Sequence, residues 1–117
     1  MNNAIQRFSE MLDRIQKIQE LCQKNGGISQ ALSDSLSAQP AIMMHFIIMQ
    51  EQITKLQNDA EFALLEKISK ENLRGLLAVR NIASHDYDGI NFAIIEDIIR
   101  RNLPNLAKEI QAILDKK

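Results

Sequence analysis

The chain has little of what would place it outside the ordinary soluble domains. One cysteine, Cys22, excludes an internal disulfide framework and, standing alone, a cysteine-based metal site. Four glycines and two prolines leave no room for collagen-like, linker or low-complexity character. No window approaches the length of a membrane-spanning apolar run. Residues 1–10 have no apolar stretch of the kind a secretory signal needs, so a reducing, cytoplasmic setting is expected. There is no tryptophan, one tyrosine and four phenylalanines, a poor supply for stacking single-stranded bases. Charge of one sign is lacking too. Fourteen Lys and Arg against fifteen Asp and Glu give a net charge of −1, which disfavours a globally basic nucleic-acid binder but leaves a local patch open.

Strand signals are also missing. No β-branched run alternates with period two, and the Asp88-Gly89 pair is flanked by mixed sequence rather than by strands. What is present is helical periodicity. Ile5, Phe8, Leu12, Ile15, Ile18 and Cys22 form one apolar stripe over residues 4–23, closed by Asn25-Gly26-Gly27. Residues 28–39, rich in Ser and Gln, read as a loop with a weak helical turn. Pro40 suits the first turn of a second helix, whose stripe runs Ile42, Phe46, Met49, Ile53, Leu56, Ala60, Ala63, with a kink expected at Asn58-Asp59. Ser69 is a plausible N-cap for a third helix carrying Leu73, Leu76, Leu77 and Ala83. Residues 86–91 read as a loop ending in the N-cap Asn91. The last stripe is Ile95, Ile98, Ile99, Leu103, Leu106, Ile110, Ile113, interrupted by Pro104, which should kink that helix or start a new one. The pattern predicts an all-α, up-and-down bundle of four to five helices, a single domain over residues 1–117.

Chemistry concentrates in Arg80-Asn81-Ile82-Ala83-Ser84-His85-Asp86-Tyr87. At about 100° per residue, Arg80 falls within about 60° of Leu73, Leu76 and Leu77, which puts a guanidinium on the apolar face of its own helix. Burying an unpaired charge is costly. Arg80 therefore needs a carboxylate partner, a subunit interface or a cleft that receives an anion, and its planar fork suits phosphate. His85 lies about 140° further around the helix. The two converge only if the helix ends near Ser84 or if two subunits bring their motifs together. Histidine titrates near neutral pH and can move a proton. With an arginine holding phosphate, that is a minimum kit for attack of a ribose 2′-hydroxyl on its own phosphodiester, a reaction that requires no metal. Other residues draw blander readings. His45 edges the second stripe and reads as structural. The methionines, Met43, Met44 and Met49 among them, read as core or interface filler, and Cys22 as buried. Arg100-Arg101 reads as a solvated helix end. Lys67, Lys70, Arg74 and Arg80 against Glu71 give residues 67–80 a local net charge of +3.

The spacing Arg80-x4-His85-x-Tyr87 resembles the signature of the HEPN superfamily, and its opening Arg80-Asn81 and closing His85-Asp86-Tyr87 are similar to the HepT-like toxin branch. The likeness extends to the loop Asp88-Gly89-Ile90, the apolar helix over residues 92–101, the step Leu103-Pro104-Asn105-Leu106 and the last helix over residues 107–114. Upstream, Met49-Gln50-Glu51-Gln52-Ile53 looks like the family's long second helix. The chain departs from the family pattern in lacking a Trp before the motif helix, in Ala78 where a Gly is common, and in Ser84 where an apolar residue is usual. The resemblance implies a helical-bundle homodimer that cleaves RNA as a toxin, with no cofactor and no metal. It implies Arg80 and His85 as catalytic residues and Asn81 as a supporting one. It further implies a cognate nucleotidyltransferase antitoxin that transfers AMP to Tyr87. Two rival readings are a non-catalytic partner that presents a site to a nucleotidyltransferase, and a plain helical adaptor with a buried Arg80 salt bridge.

Overall fold

A computed structural model describes residues 3–85 and 89–116, apart from the side chain of His85. Its elements are α1 (Asn3–Lys24), α2 (Ile28–Ser33), α3 (Ala38–Asn58), α4 (Phe62–Leu65), α5 (Lys70–His85), α6 (Phe92–Asp97), a π-helical turn (Ile98–Asn102) and α7 (Leu103–Asp115). No strand occurs among the described residues, and none of their helices is long and apolar enough to cross a membrane. The all-α bundle expected from periodicity is the one observed. α3 lies between α1 and α5, and α7 packs against α1.

The long helices form where the apolar stripes predict, and each stripe faces one shared core. Phe8, Met11, Ile15, Ile18 and Cys22 of α1 meet Ile42, Met43, Phe46, Met49, Ile53 and Leu56 of α3. Ile95, Ile99, Leu103, Leu106 and Ile110 close the core from the other side. Cys22 is 6% exposed, and burial pushes its thiol pKa up, as expected of a thiol in apolar surroundings.

Local chemistry sets the helix ends. Ser69 caps α5, its Oγ accepting from the N–H of Asn72 at 3.2 Å, and Asn91 caps α6, its Oδ1 accepting from the N–H of Ala93 at 3.0 Å. Both are the caps that the sequence predicts. Pro104 has the expected effect in an unexpected form. It can donate nothing to the preceding turn, and its ring crowds the carbonyl four residues back. The helix accommodates this by widening over Ile98–Asn102, where the N–H of Leu103 donates to the carbonyl of Ile98 five residues earlier.

Two expectations need correction. Residues 28–39 are not mainly loop, since Ile28–Ser33 is a helix that buries Ala31 and Leu32. The second helix does not run through a kink to Ala63. α3 ends at Asn58, Ala60 takes a left-handed φ of 57°, and both Ala60 and Ala63 are exposed. A left-handed residue cannot continue a right-handed helix, so the helical path stops at Ala60 and the chain restarts as α4.

Candidate functional site

α5 carries the candidate motif, and a buried polar network fixes where α5 sits. Asn72 is 2% exposed. Its Nδ2 donates to Glu109 Oε1 at 2.6 Å and its Oδ1 accepts from Asn102 Nδ2 at 2.9 Å. The N–H of Ser69 donates to the other oxygen of Glu109 at 3.1 Å. The start of α5 is thereby bonded to the π turn and to α7. The Asn72 amide is tolerable at this depth because its oxygen and its nitrogen both have partners, the half-buried Asn102 and Glu109.

Further along α5 the buried face is Leu76 and Val79, with Ile82 and Ala83 partly buried. Leu77 is not part of that face; it is 44% exposed. This corrects the placement of Arg80. A stripe drawn through Leu77 brings Arg80 inside the apolar face, whereas the face actually centres on Leu76 and Val79. Arg80 is exposed on the flank of α5. It is in no ion pair among the described residues, so the buried salt bridge of the adaptor reading is absent there.

Arg80 opens instead onto a cleft of about 500 Å³ between α3 and α5. Ser84, one turn further, lines it from the same helix. The opposite wall is the flank of α3 next to its buried stripe: Gln50, Glu51, Thr54 and Lys55, with Ile47 and Asn58 at the ends. These recur every three to four residues and so share one side of α3. Lys55 and Arg80 supply positive charge and Glu51 a carboxylate, and none of the three is in an ion pair among the described residues. Two unpaired cations in a cleft of this size suit a phosphate-bearing ligand, with Arg80 able to bind it by two parallel hydrogen bonds.

The other predicted site residues fall differently. Asn81 is exposed and does not line the cleft. His85 is the last residue of α5. The helix holds through it, so the backbone sets residue 85 about 140° around the axis from residue 80. Tyr87, Asp86, Asp88 and the side chain of His85 lie outside the described residues. Arg74, Lys67 and Lys70 are exposed, and six residues along the helix turn Arg74 about 120° away from Arg80. Arg100 and Arg101 pair with Glu96 and Asp97, each one turn back, at 2.7 and 2.8 Å, the solvated helix pair expected. His45 is structural as predicted. Its Nδ1 accepts from Arg14 Nη1 at 3.2 Å. Burial first, then Arg14 and Lys17, hold its pKa below the ordinary 6.5, against Asp13 and Glu10, which raise it. Among the described residues, no group of three or more His, Cys, Asp and Glu is placed to hold a metal ion.

The α3 wall is the part that motif reading overlooked. A signal existed, because Gln50 stands between Phe46, Met49 and Ile53 in an otherwise apolar stripe. The network of Asn72, Asn102 and Glu109 had none, since its members are 30 and 37 residues apart.

Comparison with known proteins gives a family and a relative. The family model described as Ribonuclease HepT-like matches residues 11–113, a span that holds both walls of the cleft and the whole motif. A protein of Caldanaerobacter subterraneus subsp. tengcongensis named "Putative RNase" is 26% identical over 103 residues, which cover 88% of this chain and 89% of that protein. No solved structure matches the chain.

Proposed function

The chain belongs to the ribonuclease HepT-like family, and from that premise we propose that it is a metal-independent endoribonuclease acting as the toxin of a toxin–antitoxin pair. The observation that carries this reading is Arg80, an exposed guanidinium free of ion pairs among the described residues, set in a cleft with a second cation. Arg80 binds the scissile phosphodiester. His85 serves proton transfer. The 2′-hydroxyl loses its proton, its oxygen bonds to phosphorus, the bond from phosphorus to the 5′-oxygen breaks, and that oxygen takes up a proton. The products are a 2′,3′-cyclic phosphate and a 5′-hydroxyl end. Asn81 supports the motif by hydrogen bonding.

The working form is a twofold homodimer. Helical backbone through residue 85 sets residues 80 and 85 about 140° apart around the axis, which supports completion of the site by the motif of a second copy. The partners are RNA and a nucleotidyltransferase antitoxin. Adenylylation of Tyr87 by that enzyme adds a phosphate and a base to the motif that holds Arg80 and silences the enzyme by competing with substrate.

The test uses purified protein and end-labelled RNA in the presence of a chelator. Wild type is expected to cut the RNA and leave cyclic phosphate ends, and His85→Ala to cut at least about a hundredfold more slowly while remaining a helical dimer. Equal cutting by His85→Ala contradicts the reading. With ATP, Mg²⁺ and the antitoxin, the intact mass rises by AMP and cutting stops, and Tyr87→Phe blocks both effects.

A further inference from the structure

The α3 wall of the cleft holds groups that phosphate binding and proton transfer leave unused. Gln50 is 9% exposed, and its Oε1 is shut off from water with no hydrogen-bond donor among the described residues. Buried carbonyl oxygens are almost always paired. Leucine or methionine would fill the same place in the α3 stripe without stranding an acceptor, so packing does not account for an amide here. A ligand that brings a donor does account for it. Gln50 lines the cleft, and the last torsion of a glutamine is soft. A half-turn about it exchanges the amide oxygen and nitrogen, so that the oxygen can be the group offered to the cleft.

Glu51 points to the same kind of ligand. Its carboxylate is exposed, lines the cleft and is in no ion pair among the described residues. A negative charge opposite Arg80 opposes the binding of phosphate alone. It favours a ligand that carries hydrogen-bond donors a short distance from its phosphate. Nucleotides in single-stranded RNA have that layout, with an unstacked base free to offer its Watson–Crick edge.

We propose that Gln50 and Glu51 form a base-reading subsite beside Arg80, selective for guanine next to the scissile phosphate. The proposal rests on the ribonuclease reading and adds what that reading leaves open, the sequence at which RNA is cut. The selection follows from the acceptor pair. Guanine presents two adjacent donors, N1–H and the N2 amino group. Adenine and cytosine each set one amino donor beside a ring acceptor, and uracil sets one N–H between two carbonyl acceptors. Two neighbouring acceptors are both satisfied only by guanine, and a buried acceptor left unpaired by the other bases is what produces discrimination. The cleft volume of about 500 Å³ lies within the range of sites that hold small molecules.

The experiment is cleavage of an RNA pool randomised around a central segment, with the cut ends sequenced, using the full-length wild type, Arg80→Ala, Gln50→Leu and Glu51→Gln. Wild type is expected to favour guanine at one position flanking the cut by about tenfold or more. Gln50→Leu should bring the four bases close to parity at that position. Glu51→Gln, an exposed change that replaces an acceptor oxygen by a donor, should move the preference away from guanine, and it tests the subsite even if the buried change impairs folding. Cutting by wild type without guanine preference, or the same preference in both α3 variants, overturns the subsite and leaves the ribonuclease reading standing. Cutting by wild type no faster than by Arg80→Ala overturns the ribonuclease reading and the subsite with it.

Discussion

At its start, α5 is bonded on every side. Asn72 joins Glu109 and Asn102, Ser69 caps the helix and donates its own N–H to Glu109, and the polar atoms named there are paired. Eight residues later, about 12 Å along the same helix, the pattern inverts. Arg80 is exposed, and among the described residues the buried oxygen of Gln50 opposite it has no donor and the charges of Glu51 and Lys55 are unpaired. One end uses its polar groups to hold the fold. The other end keeps its polar groups available, at some cost in stability, which is the arrangement expected where a ligand is to be bound. A rigid start to α5 is also what holds the exposed arginine at a fixed place in the cleft.

The contrast can be broken at the bonded end. Asn72→Ala takes one of its two donors from the half-buried Glu109 carboxylate and the acceptor from the half-buried Asn102 amide, and should lower the unfolding free energy by about 2–3 kcal/mol, read from urea denaturation. Asn102→Ala removes one neutral bond of the same network, leaves Oδ1 of Asn72 without its donor and should cost less, about 1–2 kcal/mol. Equal costs for the two would show that Asn72 is not the hub.

At the cleft end the sign should change. Gln50→Leu replaces an unsatisfied acceptor with an apolar group of similar size. It should leave stability unaltered or raise it by up to about 1 kcal/mol, measured in the same denaturation series. A loss of 2 kcal/mol or more, on the order of a core truncation, would place Gln50 with Asn72 and erase the distinction.

The smallest effect is one of pH and belongs to neither end. His45 is neutral in the fold, accepting from Arg14, with its pKa held below the ordinary 6.5. Between its folded value and 6.5 the unfolded chain binds more protons, so stability is full above about pH 6.5 and falls as the pH drops through the folded value. His45→Gln should flatten that part of the stability profile, and an unchanged slope would assign it to other groups.

Much of this was legible in the sequence, and the limits have physical reasons. The stripes of α1 and α3, the caps Ser69 and Asn91 and the disturbance at Pro104 are local, and local chemistry fixes them. The face of α5 was misread because Leu77 fits the three-to-four spacing as well as Val79 does, and only the neighbours decide which is covered. Motif reading singled out Arg80, but that Gln50 and Glu51 face it depends on how α3 packs on α5, and no spacing within either helix encodes that.

The most direct test of the contrast between the two ends is the RNA-cleavage rate of Arg80→Ala, measured on protein whose unfolding free energy is determined in parallel. The account predicts a loss of at least about a hundredfold in rate with stability within about 0.5 kcal/mol of wild type, as for other exposed positions. Wild-type cleavage by Arg80→Ala, or a rate loss that merely follows unfolding, would contradict it.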